Sequence, residues 1–92
     1  MRFQTANMLG NAYLALKDYD SCLFWFGKGK EVAQNSGKAE KIAYCHLSMS
    51  MYYSYRFDYQ DYENEEEGKQ LLWNSIAECQ QGLALYKEPM FY

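Results

Sequence analysis

Leu9-Gly10-Asn11-Ala12-Tyr13-Leu14-Ala15-Leu16-Lys17-Asp18-Tyr19-Asp20 sets the fold of this chain. Together with Met8, the residues Leu9, Ala12, Tyr13, Leu14 and Leu16 recur at helical spacing, with no proline and few β-branched residues. The polar interruption Lys17-Asp18-Tyr19-Asp20 ends that pattern and starts another. Asp18 is a good N-cap, and Asp20 falls in the first turn that follows, where a carboxylate suits the helix dipole. The spacing therefore predicts a helix over 6–17 and a second over 19–35. Cys22, Leu23, Phe26, Val32 and Ala33 form the apolar stripe of the second. Asn35-Ser36-Gly37 closes it, with glycine where helix ends favour the left-handed conformation.

The same grammar continues downstream. A third helix is expected over 38–56. Its apolar members Tyr44, Leu47, Met49, Met51, Tyr52, Tyr53 and Tyr55 lie on more than one face, so it is expected to pack on two sides. Asp58 to Gly68 then carries six of the twelve acids. Without it nine Lys+Arg face six acids, a balance of +3, so the acidity of the chain belongs to this segment. It reads as a solvated loop, in which Tyr59 and Tyr62 are anomalous and are candidate interface anchors. Asp58, Asp61 and Glu63 do not match the ligand spacing of a calcium loop. A last helix is expected over 69–87, with Leu72, Ile76, Cys79, Leu83 and Leu85 as its apolar members and Glu88-Pro89 as its stop. The fold class is all-α, with four helices in two stacked antiparallel hairpins.

Composition bounds the function. At 92 residues the chain is one small domain, too short for a two-domain nucleotide enzyme. Hydrophobic residues make 49% of it and aromatics 18%, ten of them tyrosines, which excludes the disorder signature. A net charge of -3 does not advertise nucleic acid, and no apolar run is long enough for a membrane span. Cys22, Cys45 and Cys79 are odd in number and widely spaced, which argues against a disulfide framework or a zinc site. The N-terminus has no apolar leader segment, so an intracellular, reducing compartment is expected. Cys45 and His46 are neighbours, but adjacent helical residues point about 100° apart, so they make no nucleophile–base pair. With no glycine-rich phosphate loop, paired carboxylates or metal constellation, neither an enzyme nor a cofactor is expected.

An internal repeat is visible. Leu9-Gly10 is matched by Leu47-Ser48, an offset of 38 residues. Cys22, Phe26, Gly29 and Val32 are matched by Ser75, Cys79, Gly82 and Leu85 with the same steps, an offset of 53. The difference of 15 is the size of an insertion between the third and fourth helices. Glycine inside a helix costs about 1 kcal/mol against alanine, so Gly29 and Gly82 at matching places imply close helix packing.

Leu9-Gly10, Tyr13, the Asp18-Tyr19 turn and the Phe26, Gly29, Glu31, Val32 spacing resemble a tetratricopeptide repeat. The first unit, 5–37, matches well. The second, 38–89, is degenerate and carries the acidic insertion 58–68. The resemblance implies an α-solenoid whose concave face is lined by the first helix of each unit and holds a peptide or an amphipathic helix of a partner protein. It implies Asn7, Asn11 and Leu14 as partner-binding positions of the first unit, and Cys45, Met49, Tyr52 and Tyr53 of the second. Asn11 stands where the family often hydrogen-bonds peptide backbone. Asn7 stands where carboxylate-clamping members place a lysine, which argues against that activity. The implied function is a protein-interaction module or assembly subunit in the cytoplasm, with the cytoskeleton as one setting. The alternative is a peptide-sensing fragment of a longer repeat protein. Two units fall short of the three that such stacks usually need, so the chain is expected to pair with itself, with neighbouring repeats or within a larger complex.

Overall fold

A computed structural model describes residues 2–85. Four helices account for most of them: α1 (Phe3–Ala15), α2 (Tyr19–Ser36), α3 (Ala39–Asp58) and α4 (Glu65–Leu85). Among the described residues there is no strand. The expected stop at Lys87-Glu88-Pro89 lies outside them. α1 packs chiefly on α2 and α3 chiefly on α4, giving two hairpins. A lighter contact joins α2 to α3, and α1 just reaches α3.

The helix ends follow their local chemistry. Asp18 caps α2: its carboxylate accepts from the Ser21 amide at 3.2 Å and from the Ser21 hydroxyl at 2.9 Å. Gly37 takes the left-handed conformation after α2, at φ 68°. Asn64 opens α4 by accepting from the Glu67 amide at 2.9 Å, and Glu67 reaches back to the Glu63 amide at 2.8 Å. Glu65, Glu66 and Glu67 occupy the first turn of α4, where the dipole favours negative charge. The acids expected in a free loop are thus partly a helix N-terminus, and the connection narrows to residues 59–64.

Packing corrects the register of the repeat. Gly10 lies against the Phe26 ring, so that a Cβ there would overlap the ring. The position that meets Cys79 in the second hairpin is Ser50, whose hydroxyl is 3.0 Å from the Cys79 sulfur. A Cβ on Gly29 would meet Ala6 and Asn7; one on Gly82 would meet His46 and Leu47. The first helices are therefore related by 40 residues rather than 38, while the second helices keep their offset of 53. The Leu47-Ser48 match misled because two adjacent residue types resembled Leu9-Gly10, whereas facing contacts fix which residue stands opposite which. The insertion shrinks to 13 residues, used largely as helix: α3 runs about one turn further than α1, and α4 starts about two turns earlier than α2.

What remains of the connection is docked, which corrects the expectation of a solvated loop. The Arg56 guanidinium donates to the Asp61 carbonyl at 3.0 and 3.3 Å, lies over the rings of Tyr19 and Tyr52, and is 3.8 Å from Glu67. The Tyr19 hydroxyl donates to the Asp61 carboxylate, and Lys17 covers the Tyr59 ring at 4.4 Å. Tyr62 stacks on Phe57 and sits against Gly68. Tyr62 is anchored within the chain, whereas Tyr59, under the Lys17 ammonium, stays half exposed, and the connection fastens the second hairpin to the α1–α2 turn. Beneath it Leu14, Cys22, Phe26 and Tyr52 form the buried centre, with Tyr13, Tyr19, Met49, Tyr53 and Tyr55 packed around them.

Candidate functional site

α1 and α3 leave a cleft of about 900 Å³ between them. Phe3, Gln4, Asn7 and Asn11 line it from α1, and Lys41 and Tyr44 from α3. These positions fall at helical spacing, so each helix turns one edge to the cleft. The Phe3 and Tyr44 rings meet edge to face at 5.8 Å across it, and the Lys41 ammonium lies 6.0 Å over Phe3. Asn7 is buried where Gly29 lets α2 come close. Asn11 Oδ1 is buried without a hydrogen-bond partner among the described residues. An unpaired buried carbonyl costs about 1–3 kcal/mol, and Asn11 is among the residues that line the cleft.

A second cavity, about 430 Å³, lies where α2, α3 and α4 converge. Phe26, Lys30, Cys45, Met49, His46 and Glu78 contribute to its wall. His46 Nδ1 is 2.7 Å from a Glu78 carboxylate oxygen, which ties α3 to α4. Burial pushes the Cys45 thiol above its ordinary value, against a smaller opposing effect of Lys30. A thiol held protonated is a poor nucleophile, and the partner of the His46 ring is Glu78. Among the described residues no three His, Cys, Asp or Glu side chains converge to hold an ion.

The residues expected at a single groove are distributed over three places. Asn7 and Asn11 line the cleft between α1 and α3. Cys45 and Met49 line the cavity against α2 and α4. Leu14 and Tyr52 are buried in the core, with Tyr53 packed against it. The register explains the split. With Ser50, not Ser48, opposite α4, the faces of α3 turn so that Cys45, Met49 and Tyr52 look toward the first hairpin. Phe3, Lys41 and Tyr44 were missed as cleft residues. Phe3 lies before the helix expected to begin at Ala6, and in the sequence Tyr44 is one member of the apolar set of the third helix. The i, i+3 spacing of Lys41 and Tyr44 was the available signal.

Compared with family models, curated proteins and solved structures, the chain matches none. Among the described residues, no helix is long and apolar enough to cross a membrane.

Proposed function

We propose that the chain is a protein-interaction module that holds an extended peptide segment of a partner in the cleft between α1 and α3. The observation that carries this reading is the buried, unpartnered Oδ1 of Asn11, a residue that lines a cleft of about 900 Å³. An extended backbone offers N–H donors at regular intervals, and a carboxamide oxygen accepts one directly. Phe3 and Tyr44 supply apolar rims, while Gln4 and Asn7 supply further amides. The tetratricopeptide resemblance of 5–37 supports the same use of this face. Burial raises the Cys45 thiol, which weakens it as a nucleophile and favours binding over chemistry. Three free cysteines fit a reducing, cytoplasmic setting, with cytoskeletal assemblies among the candidate partners.

Panning a random peptide library against the chain tests the proposal. Enriched peptides are expected to shift the amide resonances of Gln4, Asn11 and Tyr44, and Asn11→Ala or Tyr44→Ala is expected to weaken them about tenfold, the loss of one buried contact. Leu83→Glu, on the far face of α4, is expected to leave binding unchanged. Enriched peptides that shift only residues outside the cleft would sink the reading.

A further inference from the structure

The two ends of the molecule carry the two halves of the joint that its hairpins already make with each other. Inside the chain, α2 offers Tyr19, Leu23, Phe26 and Lys30, and α3 receives them with Cys45, Met49 and Tyr52. Moving the α2 set by 53 residues gives Leu72, Ile76, Cys79 and Leu83 on α4. Three of these are exposed large apolar residues, and Leu83 is 67% exposed. Moving the α3 set by 40 residues, with Arg56 added, gives Thr5, Leu9, Ala12 and Leu16 on or just beyond α1. Of these Leu16 is 74% exposed.

Charge sharpens the pattern. α1 has no charged residue from Phe3 to Ala15. From Gln70 to Leu85, α4 has only Glu78, which is paired with His46. Stacked helical repeats remain soluble when their outer faces are polar; here, among the described residues, both of these sets are uncharged and each exposes large apolar side chains. The halves also differ in sign. Residues 1–38 hold five Lys+Arg against three Asp+Glu, or +2, and residues 39–92 hold four against nine, or -5.

We infer that the occupant of each end is a second copy of this chain, stacked head to tail, with α1 of one copy seated on α3 and α4 of the next. This arrangement repeats the internal joint, covers both ends with one kind of contact and sets a positive half on a negative half. A two-fold contact of α4 on α4 would juxtapose two halves of -5 and leave α1 bare. A head-to-tail contact does not close on itself at two copies, so the assembly grows with concentration. The inference does not rest on the peptide-binding cleft, which lies on another face.

Sedimentation velocity from micromolar to near-millimolar concentration tests it, with helicity by circular dichroism as the folding control. The chain is expected to give a mass series extending beyond the dimer. Leu16→Glu spoils one half-joint and Leu83→Glu the other, and because both residues are exposed each variant is expected to fold and remain monomeric. Mixed in equal amounts, the two variants retain one good joint between them and are expected to form a one-to-one dimer that grows no further. A chain that stays monomeric throughout, a variant that dimerises alone, or a mixture that stays monomeric would each overturn the inference.

Discussion

The two hairpins solve one packing problem with different chemistry. In the first, the close approach is bare: Gly10 lies under the Phe26 ring, with Ala6 and Asn7 against Gly29. In the second, Gly82 keeps a bare approach to the Ala43 carbonyl, His46 and Leu47, but the place matching Gly10 carries a hydroxyl, Ser50. Ser75 is 2.9 Å from Ser50 and 2.8 Å from Ser54, it donates to the Ser50 carbonyl at 3.2 Å, and Cys79 completes the cluster. An apolar contact of this kind is intolerant of added volume, because a ring and a backbone leave no space to yield. A hydroxyl cluster is tolerant of volume and intolerant of losing a partner, because each buried oxygen left alone has a desolvation cost. At the Gly10 position the first hairpin is therefore specified by shape, and at the matching Ser50 the second is specified by polar satisfaction.

The sharpest way to break the contrast is to add volume to the first contact and to take a hydroxyl from the second. Gly10→Val is expected to cost about 3 kcal/mol, the upper range for overpacking. Ser50→Ala is expected to cost only about 1 kcal/mol, one net hydrogen bond. Denaturant unfolding of the two variants measures the difference, and equal losses would erase the distinction. The next largest effect concerns the fastening between the hairpins. Arg56→Ala removes charge-assisted hydrogen bonds to the Asp61 carbonyl and the cation on Tyr19 and Tyr52, at an expected cost of about 2 kcal/mol. Hydrogen exchange at residues 59–64 is expected to quicken while α1 and α2 stay protected. Arg56→Lys is expected to restore little, since an ammonium lacks the planar fork. Unchanged exchange in both variants would mean that the connection is held by its tyrosines.

The smallest effect is a pH dependence. Burial first, then the hydrogen bond and charge of Asp61, raise Tyr19 well above the ordinary phenol value, while Arg56 pulls the other way. The folded chain thus holds this proton more tightly than the unfolded chain. Its contribution is complete below pH about 10, the unfolded value, and is lost as the pH climbs toward the folded value. Tyr53 and Tyr55 are also raised, chiefly by burial, and act in the same sense. Stability measured from pH about 8 to about 11 is expected to fall, and to fall less steeply in Tyr19→Phe. An identical slope in that variant would show that Tyr19 does not report the Asp61 contact.

Much of the fold was legible because it is local. Asp18 announces its cap and Gly37 its left-handed turn from the residue type alone, and the apolar spacing places all four helices. The steps shared by Phe26, Gly29 and Cys79, Gly82 revealed the second helices of a repeat. The first helices were misaligned by two residues, since Leu47-Ser48 imitates Leu9-Gly10 in type and not in contact. That slip turned the faces of α3 and sent Cys45, Met49 and Tyr52 to a groove they do not share with Asn7 and Asn11. Nothing local marked Arg56 as the residue that binds the acidic connection down. Its partners Tyr19 and Asp61 are 37 residues before it and five after it in sequence.

The excess of aromatics in so short a chain now divides into two parts. Tyr19 and Tyr52 are accounted for within the molecule, around Arg56, and Tyr62 against Phe57 and Gly68. By contrast, Tyr44 stands at the cleft, and Trp73 is 66% exposed on α4 beside Leu72 and Ile76. The sequence by itself determined the helices, their caps and the existence of a repeat, because those depend on residues within a few positions of one another. Only the tertiary structure decided the register of the repeat, the docking of the connection and which faces stay open. Those depend on which side chains meet across helices, and that is fixed by volume, charge and distance in space.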